Sequence, residues 1–239
     1  MGASVLAPSQ SNSYPRIANP IHTFIVLAAV GALAFRGAMN VNQMRTAVNF
    51  DRVRMYERTI VTELAMLALV LLGVALARSP LTTVIGERWR SLRQVLRDLG
   101  IGIAFSIVST LLLSTLNSVL HSADTDRAVR FILPHGRFEM TLWVALSVTA
   151  GICEEAIYRG YLQRQFMALT RNAPIGVLLQ ASAFGLAHSY QGWHGAVAIA
   201  IEGALLGALA HWWKSVRPGM ISHAWKDALA PLLMSLPKH

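Results

Sequence analysis

The residues best suited to chemistry in this chain are two adjacent carboxylates, Glu154 and Glu155, and an arginine four positions later, Arg159. They lie inside or at the end of a strongly apolar segment. Because charge in hydrocarbon costs much free energy, ionisable residues in such a segment usually serve a function. We therefore predict that this cluster belongs to a polar chamber within a membrane.

Two histidines in later apolar segments are the next candidates. His188 closes one run, four residues after Phe184, and His223 stands four residues before Asp227 in another. On a helix this spacing puts two side chains on one face, so His223 and Asp227 could share a proton, a water or a metal ion. Each feature alone also fits a purely structural helix–helix contact, but three of them on separate apolar segments favour one joint site.

The two adjacent glutamates are expected to have different roles. Glu155 precedes Arg159 by four residues, the favourable order for an ion pair on a helix. Glu154 points about 100° away from Glu155, and a carboxylate left free in apolar surroundings can serve as a general base. The alternative is a pair that reaches from a helix end towards the interface and does no chemistry.

Composition identifies an all-helical, multi-pass membrane protein. Hydrophobic residues make up 54% of the 239 residues and charged residues 14%, against about 25% charged residues in a soluble domain. The mean hydropathy is +0.46. Apolar runs that approach the roughly 20 residues of a membrane-crossing helix predict about seven spans. They are Ile21–Phe35, Ile60–Ala77, Gly100–Leu120, Met140–Tyr158, Ile175–His188, Gly195–Trp213 and Met220–Leu236.

The net charge of +9 comes mainly from arginines in the loops between these spans. We interpret them as contacts with anionic lipid headgroups and expect no nucleic-acid partner, because aromatic residues hardly alternate with them. Lys and Arg are too evenly distributed to set an orientation. Glu87–Leu99 is expected to form an amphipathic interfacial helix or a plain loop helix. Gly203 and Gly207 predict close helix packing, within the chain or between subunits, and the oligomeric state stays open.

The ordered motifs Glu-Glu-x-x-x-Arg, Phe-x-x-x-His and His-x-x-x-Asp, on successive apolar segments, resemble the CAAX-protease and bacteriocin-processing intramembrane protease family. They occur here at Glu154–Arg159, Phe184–His188 and His223–Asp227. The resemblance covers residues 138–236, the predicted catalytic core. The preceding residues are divided by their composition into an N-terminal tail (1–20) and N-terminal membrane helices with an amphipathic connector (21–137). It implies hydrolysis of peptide bonds in the cell membrane of a prokaryote or the endoplasmic reticulum of a eukaryote.

The resemblance also implies roles for these residues. Glu154 and His188 would activate the attacking water, and His223 and Asp227 would stabilise the oxyanion or hold the water. Glu155 and Arg159 would form a supporting ion pair, and Phe184 would shape the cavity wall. Because the family also shows Asn where Asp227 stands, Asp227 is expected to be neutral, paired with Lys226 or His223, or a metal ligand. The implied substrates are prenylated CAAX proteins or other membrane-associated peptides.

Metal use stays open from the sequence. His188, His223 and Asp227 would supply two histidines and a carboxylate, a set that suits zinc, but the chain has no His-Glu-x-x-His string. A metal-independent glutamate mechanism is equally compatible with these residues. The roles of two further acids are also open: Glu202 lines the cavity, pairs with His211 or Lys226, or is structural, and Glu63 is expected simply to reach the interface.

Other functions fit the residues less well. Cys153 stands beside two carboxylates, whose charge disfavours a nucleophilic thiolate, no Gly-x-Ser-x-Gly string occurs, and Asp227 is the one aspartate in a predicted span. A proton-coupled transporter would use the same Glu, His and Asp side chains as a relay, although no internal repeat is evident. A non-catalytic membrane scaffold is the remaining alternative.

Overall fold

The computed structural model describes residues 14–46, 50–120 and 129–235; within these, side chains 40–46 and 116–120 are not described. Residues 1–13 of the predicted tail and the end of the last predicted span therefore lie outside the described residues. The described residues form helices joined by short loops, and they contain no strand. The predicted all-helical membrane bundle is confirmed.

Nine α-helices, a π-helix and a 3₁₀ turn make up most of the described chain, besides helical residues at 129–132. The α-helices are α1 (Pro20–Thr46), α2 (Arg52–Leu76), α3 (Thr82–Ile85), α4 (Leu92–Leu120), α5 (Arg137–Glu154), α6 (Gln163–Thr170), α7 (Ala173–Ala187), α8 (Gly192–Trp213) and α9 (Arg217–Ser235). The π-helix (Glu155–Leu162) joins α5 to α6, and the 3₁₀ turn (Ser189–Gln191) joins α7 to α8.

Helix α5 is the centre of the bundle. It packs between α2 and α9, while α9 also packs on α4, and α7 pairs with α8. Half of the most apolar stretch of 137–170 is buried inside the protein, against 17–22% for the other long apolar helices. The polar cluster at the end of α5 is therefore surrounded by helices, while the apolar faces of the outer helices are left for lipid.

Within the described residues, five helical stretches are long and apolar enough to cross a membrane: Pro20–Met39, Arg52–Leu76, Leu92–Thr115, Arg137–Thr170 and Ser189–Trp213. Each contains most or all of one predicted span. The fifth predicted span, Ile175–His188, coincides with α7, which has only 15 residues. The seventh coincides with α9, which carries Lys226, Asp227 and Pro231 and is not among the five. The count of seven spans thus stays a prediction.

The segment Glu87–Leu99 differs from the amphipathic helix expected there. Residues 86–90 are not helical, and Leu92 already begins α4. The Trp89 indole donates a hydrogen bond to Asp98 at 2.9 Å, and Arg217 of α9 forms an ion pair with the same carboxylate at 3.0 Å. Because Asp98 is fully buried, its charge needs these partners, and they hold the segment against α9.

Gly203 and Gly207 make the predicted close packing within the chain. Their backbone carbonyls accept hydrogen bonds from two buried glutamines, Gln180 at 2.8 Å and Gln163 at 2.9 Å. A Cβ on Gly207 would lie 2.5 Å from the Gln180 amide nitrogen. The two glycines thus let α8 approach α7 and the start of α6 closely enough for glutamine side chains to reach its backbone.

The π-helix begins directly after Glu154. Its wider turn is evident at its end, where the backbone N–H of Gln163 donates to the carbonyl of Tyr158, five residues earlier. Such segments are rare and often occur at functional sites. At Gly160 the π-helix meets α3, and a Cβ there would collide with the backbone carbonyl of Val84.

Replacing Gly160 therefore tests this contact. We expect Gly160→Ala to lower the free energy of unfolding by about 1–3 kcal/mol, because the clash is with backbone and cannot be relieved by a side-chain rotation. The matched control is Gly100→Ala, where a Cβ meets nothing within 4 Å and helix propensity favours alanine. Thermal unfolding in detergent measures both variants; equal midpoints would contradict the packing at Gly160.

Candidate active site

A buried ion pair stands at the junction of α5 and the π-helix. The Arg159 guanidinium donates to Glu155 Oε1 at 2.7 Å, and both side chains are fully buried. The guanidinium also lies over the Phe184 ring, 4.3 Å from its centroid. A cation over an aromatic face is stabilised by the ring quadrupole, so Phe184 partners the part of Arg159 that Glu155 leaves free.

Two glycines bring α9 onto this ion pair. A Cβ on Gly219 would lie 2.8 Å from Glu155 Oε2, and one on Gly151 would lie 2.7 Å from the backbone nitrogen of Ala224. Any larger residue at these positions would push α9 away from α5. The close approach carries His223, one turn after Gly219, into contact with the carboxylates.

His223 lies among three carboxylates. Its Nδ1 is 3.1 Å from Glu155 Oε1, while its Nε2 is 3.6 Å from Glu154 Oε2 and 3.5 Å from Asp227 Oδ2. Carboxylate oxygens accept hydrogen bonds, so the imidazolium form, with a proton on each nitrogen, satisfies both sides of the ring. This arrangement favours a positively charged ring in the site.

His188 follows the last residue of α7 and has a defined tautomer. Its Nδ1 is 2.9 Å from the carbonyl oxygen of Phe184, which can only accept, so Nδ1 carries a proton and Nε2 of the neutral ring is the acceptor. The Phe184 ring lies 4.8 Å from the His188 ring and 6.0 Å from the His223 ring. Phe184 thus contacts both imidazoles.

Glu154, the last residue of α5, faces open space. It lines three cavities of about 710, 320 and 190 Å³, and His188 and Tyr190 line the same three. Its Oε2 is buried and has no hydrogen-bond partner among the described residues. A buried carboxylate oxygen without a partner beside a cavity is suited to hold a water molecule.

The site contains two further residues that the sequence analysis did not place in it, Tyr190 and Glu63. Tyr190 lies two residues after the end of the predicted span Ile175–His188 and belongs to no motif. Glu63 was expected at the interface, but α2 begins at Arg52, so Glu63 lies about three helical turns inside it. Its carboxyl group interacts with that of Glu154, and both side chains line the same cavity. The sequence does give a signal for Glu63, because an acid within an apolar helix usually serves a function. Its proximity to Glu154 depends on how the helices pack and cannot be predicted from the sequence.

Lys226 pairs with Glu202 rather than with Asp227. The Lys226 ammonium donates to Glu202 of α8 and lies 3.4 Å from the Ser109 hydroxyl of α4. Of the alternatives open for Asp227, pairing with His223 is the one with a contact in the structure. Trp143 of α5 holds the turn of α9 in place by donating to the backbone carbonyl of Asp227 at 2.8 Å.

The described residues do not fit a metal site. Among them, no three His, Cys, Asp or Glu side chains are arranged to hold a metal ion. Both ring nitrogens of His223 face carboxylates as donors, whereas a metal ligand needs a free lone pair on the ring. Of the proposed ligand set of His188, His223 and Asp227, only His188 has a ring nitrogen suited to this role.

Comparison with known families supports the predicted resemblance. Residues 136–229 match the family model described as type II CAAX prenyl endopeptidase Rce1-like. All the motif residues from Glu154 to Asp227 lie inside the match, whereas Glu63 lies outside it. The family resemblance is thereby confirmed for this segment. No curated protein matches the chain, and no solved structure does.

Replacing Arg159, the positively charged member of the buried ion pair, should destabilise the protein strongly. We expect Arg159→Met to cost about 3–5 kcal/mol of unfolding free energy, because Glu155 is left charged and buried without its partner. The double variant Glu155→Gln/Arg159→Met should recover part of this loss. The matched control is Arg90→Met in the exposed Glu87–Arg90 pair, which should cost under about 1 kcal/mol. Equal losses at the two pairs, measured by unfolding in detergent, would contradict this account.

Proposed function

We propose that this protein is an intramembrane endopeptidase in which Glu154 and His188 activate a water molecule for attack on a peptide bond. The observation that carries the proposal is the unpartnered oxygen of Glu154, which is buried beside a cavity that His188 also lines. The match of residues 136–229 to a family of CAAX prenyl endopeptidases supports the same chemistry.

Water activation follows from the two acceptors. Glu154 as a carboxylate and His188 through Nε2 can both accept hydrogen bonds from one water, and a base of this kind typically contributes 10²–10⁴-fold to the rate. Glu154 takes the proton as the oxygen attacks the carbonyl carbon. When the C–N bond breaks, Glu154 returns this proton to the leaving amine, so the carboxylate is regenerated.

The developing oxyanion needs a donor close to the base. His223 as an imidazolium is the best candidate, since its Nε2 side faces the cavity region next to Glu154 and Asp227. Donors fixed in advance in a water-poor site are effective because they need no reorganisation during the reaction. In this scheme Asp227 orients His223 and balances its charge; it does not donate to the oxyanion itself.

The cavities suit a substrate that is apolar near the scissile bond and anionic at its end. The 320 Å³ cavity is lined mainly by apolar side chains, among them Met55, Phe131 and Trp143, and reaches Glu154 and His188. Arg36, Arg54 and Arg58 line the 710 Å³ cavity, where they could bind a carboxylate. A prenylated CAAX peptide, or another membrane-associated peptide, has both features.

The first test is cleavage of a quenched fluorescent peptide with a C-terminal prenyl-cysteine CAAX sequence in liposomes. We expect Glu154→Gln to lower kcat by about 10²–10⁴-fold, because the base is lost while the shape of the side chain is kept. Glu139→Gln, at the start of the same helix, is the control and should leave kcat unchanged. Wild-type rates in Glu154→Gln would rule out this base.

The same variants distinguish the alternative functions. A proton-coupled carrier would lose proton flux across the liposome membrane in Glu154→Gln without cleaving any peptide. A scaffold would show neither activity in the wild type. An unchanged thermal unfolding midpoint in Glu154→Gln is needed in each case, since it shows that the fold is intact.

Metal dependence has a separate test. Because His223 directs both ring nitrogens at carboxylates, we expect peptide cleavage to survive prolonged dialysis against EDTA. The control is the same dialysis followed by zinc, which should not raise the rate. Loss of cleavage with EDTA and recovery with zinc would establish the metal-dependent alternative.

A further inference from the structure

Glu63 stands in an unusual place for an acid. It lies inside α2, in one of the five stretches apolar enough to cross a membrane, and outside the residues that match the family model. Among the described residues, no lysine or arginine lies within ion-pair distance of it. A charged carboxylate without a cation is costly at such a position, so the group must be neutralised in another way.

The group that faces Glu63 is the carboxyl of Glu154. Helix α2 packs along α5, both side chains line the same 710 Å³ cavity, and their carboxyl groups interact with each other. Two ionised carboxylates have no proton to donate, so a hydrogen bond between these two side chains requires that one of them is protonated. Carboxyl pairs that share one proton occur where two like charges would otherwise meet.

The position of the proton follows from the surroundings of each acid. Glu154 lies 3.6 Å from His223 Nε2, so its negative charge is stabilised by the neighbouring imidazolium. Glu63 has no comparable partner of its own among the described residues. This difference in surroundings favours the proton on Glu63.

We propose that Glu63 is a positioning residue of the active site, which donates a hydrogen bond as a neutral acid to the carboxylate of Glu154. This contact would hold one side of the Glu154 carboxylate and leave its remaining lone pairs to the attacking water. The inference rests on the proposed function of Glu154 as the base. It assigns a role in the chemistry to α2, which the family match does not cover.

The kinetic test uses three substitutions in the liposome assay with the prenylated CAAX peptide. We expect Glu63→Leu to lower kcat by about 10–100-fold with little change in KM, because the hydrogen bond to a charged group is lost. Glu63→Gln keeps an N–H donor and should retain most of the wild-type rate. Glu57→Leu, at an exposed position of the same helix, is the matched control and should be unaffected.

Certain kinetic outcomes would overturn the proposal. If Glu63→Leu keeps the wild-type kcat, Glu63 does not position the base. If Glu63→Gln falls as far as Glu63→Leu in folded protein, the donor role is wrong. In the Glu154→Gln background, Glu63→Leu should cause no further loss, since its effect acts through Glu154; an additive loss would assign it another role.

A spectroscopic test needs no substrate, so it can check the protonation of Glu63 independently of the proposed protease activity. Infrared spectra of the wild type at neutral pH should contain the C=O stretch of a protonated carboxylic acid, which Glu63→Gln removes and Glu57→Gln leaves in place. If this band is present while the wild type cleaves no peptide, the proton-sharing pair stands and the protease activity on this substrate fails. If the band is absent from the wild type, the pair is overturned whatever the activity.

Discussion

The buried ion pair of Glu155 and Arg159 is the interaction on which the rest of the site depends. Charges taken fully out of water must be paired and hydrogen-bonded, and each further element at the site satisfies part of this requirement. Phe184 covers the guanidinium, and His223 contacts the same oxygen of Glu155 that Arg159 does. The three helical segments that carry the motifs are therefore held at one point by electrostatics, whereas the surrounding helices contribute apolar packing.

Small residues make this arrangement sterically possible. Gly151 and Gly219 let α9 approach α5, and Gly203 and Gly207 let α8 approach α7. In a membrane, where apolar side chains gain little by leaving lipid, close backbone contact and interhelical hydrogen bonds provide much of the association energy. The hydrogen bonds from Gln180 and Gln163 to glycine carbonyls of α8 are examples. The same glycines that tighten the bundle thus bring the side chains of the candidate active site together.

The site contains a buried ion pair and, next to it, a carboxylate that faces the cavity. Glu155 is committed to Arg159, while Glu154 keeps an oxygen free of hydrogen bonds beside the cavity. His223 connects the two parts because its opposite ring nitrogens face one glutamate each. In the proposed mechanism this connection keeps the imidazole charged and close to the base, as a preorganised donor for the oxyanion requires.

The motif residues, the pairing of Glu155 with Arg159 and the helical membrane fold could all be predicted from the sequence, because they rest on local spacing and on the cost of charge in an apolar segment. The contact of Glu63 with Glu154 could not, since it depends on how α2 packs against α5. Local rules also missed the π-helix after Glu154 and the non-helical start of the segment at Glu87. In both places a long-range contact, Gly160 with Val84 and Asp98 with Arg217, overrides local helix preference.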